Sequence, residues 1–294
     1  MYKEPVVIAE IGCNHMGDIN IAKEMITVAK TFCKVDVVKF QKRDNKYWAK
    51  LKPEIYNNPH PNPINSFGRT YLEHREYLEF SIDQHYELKK YAEALNITYS
   101  CSVWDLNSAI EIVSLNPKII KIPSASNNNF DILEYLCSNF HGEIHISTGM
   151  TTKKEIDDIV EFFIEKKRNK DLVLYHCVSG YPVQFKDTYL LEIKMLQDKF
   201  GDKIKAIGYS GHHLGIAIDV AAYTLGAVYI ERHFTLDRTW KGTDHAASLE
   251  PDGLRKLKRN LMATYESLRY KETDILDFEE EQKKKLKFPK DSAE

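Results

Sequence analysis

The feature that most constrains the fold is a repeat of kind: eight short runs rich in β-branched and aromatic residues, separated by longer stretches with helical periodicity. The runs are VVIAEI (6–11), VVKFQK (37–42), ITYSCS (97–102), IIKIPS (119–124), EIHIST (143–148), LVLYHC (172–177), KAIGYS (205–210) and VYIERHF (228–234). Most are nearly continuous in apolar residues, as parallel strands buried on both faces should be. Amphipathic helical patterns lie between them, clearest over 19–32, 84–95, 153–167, 190–200, 215–225 and 251–268. Eight strands interleaved with helices predict an α/β fold, a (β/α)8 TIM barrel forming a single domain. A length of 294 residues with 43% apolar content can fill such a barrel. A doubly wound open sheet is the competing arrangement. It would usually carry a glycine-rich phosphate turn after its first strand, where this chain reads CNHMGD.

The barrel is expected to span 1–270. Residues 43–81, which include Pro53, Pro59, Pro61 and Pro63, are too long for an ordinary barrel connection and are expected to form one long loop that covers or builds a site. The stretch 271–294 is dominated by charge and reads as a poorly ordered tail or linker remnant.

Composition narrows the partners. Forty-one basic and 43 acidic residues leave a formal charge of −2, so no nucleic acid or anionic membrane is expected as a partner, and an anionic ligand must be held locally. The five cysteines, Cys13, Cys33, Cys101, Cys137 and Cys177, are scattered and free of CxxC spacing, which fits a reducing, cytoplasmic setting better than a disulfide framework or structural zinc. No apolar run reaches the roughly 18 residues of a membrane span, and no leader pattern opens the chain.

In (β/α)8 enzymes the reacting groups come from the C-terminal ends of strands. Those ends carry Glu10, Asn14 and His15; Lys39 and Gln41; Ser102; Lys121, Ser124 and Ser126; Ser179 and Tyr181; Ser210 and His212; Glu231 and His233; and Asp244 with His245. Lys39 and Lys121 sit within apolar runs, where an ammonium is costly unless an anion accompanies it. They ask for an anionic ligand, or else pair with a barrel carboxylate such as Glu10 and only support structure. His212 and His233 end adjacent strands, so two imidazoles can converge on a divalent metal. His145 and His176 lie inside strands and are accounted for by packing or hydrogen bonding.

Taken in order, AEIGCNHMGD, VVKFQK, FGRTYLEHREYLEFS, KIPSASNNN, ISTGM, HCVSGYP, IGYSGHHLGIAI, GAVYIERHFTLD and WKGTDHAASLEP resemble the signatures of the N-acetylneuraminate (sialic acid) synthase family across residues 5 to about 270. The neuraminate branch, free or as the 9-phosphate, is the nearest. The resemblance implies condensation of phosphoenolpyruvate with N-acetylmannosamine or its 6-phosphate, with release of inorganic phosphate. It implies that Lys39, Gln41, Ser102, Lys121, Ser124, Ser179 and Ser210 serve phosphoenolpyruvate. Glu10 would be the acid/base group, with Tyr181 and Asp244 orienting the sugar. His212 and His233 would hold manganese or magnesium, and the enzyme would be a homodimer. A pseudaminic or legionaminic type of synthase, acting on a diamino hexose, is the alternative; an inactive barrel serving as a binding subunit is a further one.

Two departures qualify the resemblance. Ser126 stands where the family usually has an acidic residue that contacts the sugar. Family members commonly continue into a C-terminal antifreeze-like domain, which brings an arginine over a partner's site, and the sequence stops near the linker to it. Normal phosphoenolpyruvate binding with weaker or altered acceptor binding is therefore expected.

Overall fold

The computed structural model describes residues 2–288. Eight parallel strands close into one barrel in sequence order: β1 (Val6–Gly12), β2 (Val37–Lys42), β3 (Thr98–Val103), β4 (Ile119–Ile122), β5 (Glu143–Ser147), β6 (Leu172–Cys177), β7 (Ala206–Gly211) and β8 (Ala227–His233). The helices are α1 (Ile19–Thr31), α2 (Asn45–Leu51), α3 (Pro53–Tyr56), α4 (Tyr71–Leu78), α5 (Ile82–Ala94), α6 (Leu106–Ser114), α7 (Phe130–Asn139), α8 (Lys153–Glu165), α9 (Leu191–Phe200), α10 (Ala217–Thr224), α11 (Pro251–Ser267) and α12 (Asp277–Leu286).

Local chemistry accounts for many boundaries. Ser81 with Gln84 and Thr152 with Glu155 form capping boxes that start α5 and α8, each satisfying two otherwise orphaned amide groups. Asp105 caps α6 and Asn129 caps α7 through side-chain oxygens. The fourth strand is shorter than the sequence pattern implies because Pro123 has no N–H with which to continue the ladder.

Strand alternation separates two cores. Outward residues such as Val7, Ala9, Val38, Phe40, Ile120, Ile144, Leu174 and Ile230 pack against the helices in one large cluster. Inward residues near the N-terminal ends, Ile8, Val37, Ile119, Val173, Tyr175, Ala206 and Tyr229, fill the barrel floor. The helix layer is pinned at one buried point by Arg232, which donates to Asp219 at 2.6 Å and to the His213 carbonyl at 2.6 Å.

Two sequence expectations need correction. Residues 43–81 are not an irregular loop, since they fold into α2, α3, a 3-10 turn at Pro63–Asn65, and α4. Asp44 and Thr70 cap the first and last of these helices, and Pro53 opens the middle one. The charged tail contains a helix, α12, that buries no residue, rather than an unstructured segment. Residues 289–294, the remainder of that tail, lie outside the described residues.

Candidate active site

Parallel register assembles the site. It sets Glu10 opposite both Lys39 and His233, Gln41 opposite Ser102, Ser102 opposite Lys121, and Ser210 opposite Glu231. Each of these is an inward position one or two steps beyond the apolar floor, so closing the barrel brings them together at its C-terminal end.

They line a cavity of about 440 Å³. Glu10, Lys39, Gln41, Ser102, Lys121, Ser124, Ser179, Tyr181, Ser210, His212, His233 and Asp244, all singled out in the sequence, reach its wall. Asn14, His15, Ser126 and His245 do not. Asn14 donates to the Phe234 carbonyl at 2.8 Å and to Ser248 at 2.9 Å, tying the first loop to the last. His15 stacks on Phe80 with centroids 3.9 Å apart. Ser126 is buried and donates to the Trp104 carbonyl at 2.7 Å, while its neighbour Ala125 faces the cavity. His245 bonds to Thr235 at 2.7 Å. His145 bonds to Tyr175 and Glu143, and His176 donates to the Thr188 carbonyl, so both are satisfied away from the cavity.

The base of the cavity is a buried square of charge. Lys39 is ion-paired with Glu10, donates to Ser102 at 2.6 Å and lies 3.8 Å from Glu231. Lys121 donates to Glu231 at 2.6 Å and sits 4.0 Å over the Tyr175 ring. Ser210 completes the set, donating to Glu231 at 3.0 Å. The expectation that the lysines need an anion is met in part by these carboxylates. The two carboxylates nonetheless differ. Burial raises Glu10 to about 7, against the opposing pull of Lys39. Burial also raises Glu231, but Lys121 and Lys39 together outweigh it and hold the group well below the usual carboxylate range. One carboxylate is thus fixed as an anion while its neighbour can exchange a proton near neutrality.

Hydroxyls gather on the other wall. The Gly149 amide donates to Ser124 Oγ at 3.0 Å. A Cβ built on Gly149 would come within 2.4 Å of Ser179 Oγ and 2.7 Å of Ser124 Oγ, so the missing side chain is what lets the two hydroxyls converge.

His212 and His233 lie with ring centroids 5.4 Å apart. Nδ1 of His212 is 3.0 Å from the Val178 carbonyl, to which only an N–H can bond, so Nε2 carries the lone pair. Burial first, and the neighbouring His233 second, push His212 down to about 3, keeping it neutral. His233 is likewise held down by burial, and its Nδ1 is buried without a hydrogen-bond partner, 3.8 Å from Asp244 Oδ2. Two neutral imidazoles with available lone pairs are suitable donors for a divalent cation. Among the described residues no group of three His, Cys, Asp or Glu converges on one point, so water or substrate oxygens would have to supply the other positions. Tyr181, half exposed, covers the pair with its ring 4.3 Å from that of His212.

The structure adds to the residues named from the sequence. Glu231 was visible at a strand end, but its central role comes from register. Arg43, Tyr71, Arg75, Trp104, Ser147, Met150, Cys177 and Thr243 also line the cavity. Tyr71 and Arg75 belong to α4, an element that only a helix-cap reading of Thr70 with Glu73 could have found.

Comparison with known proteins agrees with this architecture. The model of the NeuB family matches residues 25–273. The chain is 42% identical to human N-acetylneuraminate-9-phosphate synthase over 255 residues, 87% of this chain and 68% of that one. It is 35% identical to N,N'-diacetyllegionaminic acid synthase of Campylobacter jejuni over 256 residues, 87% of this chain and 75% of that one. Among solved structures, N-acetylneuraminic acid (sialic acid) synthetase from Leptospira borgpetersenii, in complex with citrate, superimposes with a TM-score of 0.81 at 29% identity, covering 96% of this chain and 91% of that one. No helix among the described residues is long and apolar enough to cross a membrane. With the matched region spanning the strands and helices that build the cavity from β2 onward, the chain belongs to the NeuB family.

Proposed function

We propose that the chain joins phosphoenolpyruvate to N-acetylmannosamine or its 6-phosphate, forming a nine-carbon 2-keto acid and inorganic phosphate. The observation that carries this reading is the meeting, in one cavity, of hydroxyls and ammonium groups suited to an enol phosphate with a carboxyl group poised near neutrality and a pair of neutral imidazoles. In this reading Lys39, Lys121, Ser102, Ser124, Ser179 and Ser210 hold the carboxylate and phosphate, charge-assisted donors being the strongest available for such groups. Gln41, whose amide bonds to Cys13 at 2.5 Å, supports that wall.

The chemistry proceeds by attack of enol C3 on the aldehyde carbon, forming the new C–C bond as the aldehyde oxygen takes up a proton. Water then adds at C2, and cleavage of the C2–O bond releases phosphate and leaves the ketone. Glu10 exchanges the protons of these steps, its raised pKa matching it to the task at neutral pH. Tyr181 and Asp244 orient the sugar at the rim. His212, through Nε2, and His233 would hold manganese or magnesium, which when bound supplies Lewis-acid polarisation of the aldehyde oxygen. The assembly proposed with this reading is a homodimer. A second reading, a diamino hexose as acceptor, draws on the likeness to the Campylobacter synthase.

The test is incubation with manganese, phosphoenolpyruvate and a panel comprising N-acetylmannosamine, its 6-phosphate and a diamino hexose, following phosphate and 2-keto acid. Metal-dependent release with a mannosamine, lost in His212→Ala, is expected. Release with the diamino hexose alone would replace the acceptor, and no release with any of the three would withdraw the acceptor assignment.

A further inference from the structure

Two guanidinium groups in the cavity are left over by the mechanism. Arg43 leaves the end of β2 and Arg75 lies on α4; both reach the cavity wall, and each is only 6% exposed. Among the described residues neither has a carboxylate within ion-pair distance, and Nε of each is buried without a hydrogen-bond partner. Arg43 is held by Tyr56, to which it donates at 3.0 Å, and by the Trp104 ring 3.6 Å beneath it. Arg75 approaches Cys13 Sγ at 3.6 Å. Glu79, the carboxylate in their neighbourhood, is engaged through Oε1 by Lys42 Nζ at 3.2 Å and the Arg43 amide at 3.0 Å, and its Oε2 is buried without reaching either guanidinium. Burying two cations without a direct ion-pair partner is unfavourable unless the site is built to receive an anion.

Their position says which anion. The enol phosphate donors lie at the base of the cavity, where Lys39 and Lys121 are matched by Glu10 and Glu231. Arg43 stands four residues beyond Lys39, an extended reach of up to about 13 Å toward the mouth. The β2–β3 pairing continues in that direction through the Trp104 amide, which donates to the Lys42 carbonyl at 3.2 Å. In the proposed condensation the acceptor's aldehyde carbon must face the enol at the base. The far end of its open chain, the primary carbon, then points to the mouth. We infer that Arg43 and Arg75, presented by the folded 43–81 segment, form a second anion subsite for a phosphomonoester on that primary carbon, so that the phosphorylated hexosamine is the acceptor. The inference rests on the synthase reading and deepens it. The fork of a guanidinium suits a phosphate dianion, and a pair of them can hold it from two sides.

The test compares kcat/KM for N-acetylmannosamine 6-phosphate and N-acetylmannosamine at saturating phosphoenolpyruvate in wild type, Arg43→Gln, Arg75→Gln and the charge-preserving Arg75→Lys. Wild type should prefer the phosphorylated sugar. Each glutamine variant should lower that preference by roughly tenfold or more through KM, the equivalent of one lost charge-assisted contact. KM for phosphoenolpyruvate should hold, which also reports an intact fold, and Arg75→Lys should retain part of the preference. Equal or better use of the unphosphorylated sugar by wild type overturns the subsite while leaving the synthase reading in place. So does a glutamine variant whose defect falls on phosphoenolpyruvate instead. If no acceptor is turned over, calorimetric titration with N-acetylmannosamine 6-phosphate still decides: binding that the free sugar lacks and that Arg75→Gln loses supports the subsite, and absence of binding overturns it.

Discussion

The floor of this barrel and the base of its cavity are made from the same strands, two residues apart. On β1 the inward residues are Ile8 and then Glu10; on β2, Val37 and then Lys39; on β4, Ile119 and then Lys121; on β8, Tyr229 and then Glu231. The lower layer is an apolar plug, whereas the upper one is a square of buried charge. Strand geometry is the same in both, so what separates them is the free energy each side chain brings. The floor gains from leaving water, and the charged layer above it tolerates burial only because each ammonium has a carboxylate partner. In such a barrel, stability and chemistry are divided by height along a strand.

The sharpest way to break that division is Lys121→Met. Glu231 would lose its shortest ionic partner, at an expected cost of roughly 3–5 kcal/mol in urea unfolding. Turnover should fall by about 10³-fold, as for the loss of a preorganised charge in an active site. The double variant Lys121→Met/Glu231→Met should regain most of the stability and none of the turnover. Recovery of phosphate release in the double variant would refute a chemical role for the upper layer.

One layer down, Ile8→Ala should cost about 2–5 kcal/mol, the usual range for emptying a packed aliphatic site, with KM for phosphoenolpyruvate little changed. An equally large effect on KM would mean that the layers are not separable.

Acid should probe the mouth's surroundings. His15, His85 and His212 are each pushed to about 3, and His74 to about 4, in every case chiefly by burial. The unfolded chain takes up protons on these groups near pH 6.5 while the folded one does not. Their contribution is therefore complete above pH 6.5 and is lost progressively as pH falls toward the folded values. Each such histidine weakens the fold by up to about 1.4 kcal/mol per pH unit in that window. Calorimetry from pH 7 to 4.5 should record a falling Tm, with a shallower slope in His85→Gln; a flat profile would contradict the assignment.

The smallest effect is expected where the layers touch. Tyr175 lies under Lys121 and bonds to His145 at 2.8 Å. Tyr175→Phe keeps the ring but removes the bond, so a loss of about 1–3 kcal/mol in unfolding free energy is expected with turnover nearly intact.

The strands were legible because burial on both faces writes a near-continuous apolar run, and strand ends fell within one or two residues of the pattern in every case. The helices α6 and α7 were harder to read. They are short, and their apolar faces merge with the strands around them, although Asp105 and Asn129 mark their starts. The segment 43–81 was recognisable as too long for a turn, but its prolines hid three helices that pack chiefly on one another, as the Tyr56 ring of α3 does on that of Tyr71 in α4.

Sequence by itself determined the barrel, the face on which each strand residue lies, and which polar residues sit at strand ends, because these follow from periodicity and chain order. Only the tertiary structure decided which of those residues meet. Asn14, His15 and Ser126 are as polar and as well placed along the chain as Glu10 or Ser124, yet they turn to backbone or neighbouring side chains outside the cavity. Lys121 finds Glu231 across 110 residues of sequence, and Arg75 reaches the cavity only because α4 folds back over it. Such pairings depend on barrel closure and strand register, quantities that no local window of sequence contains.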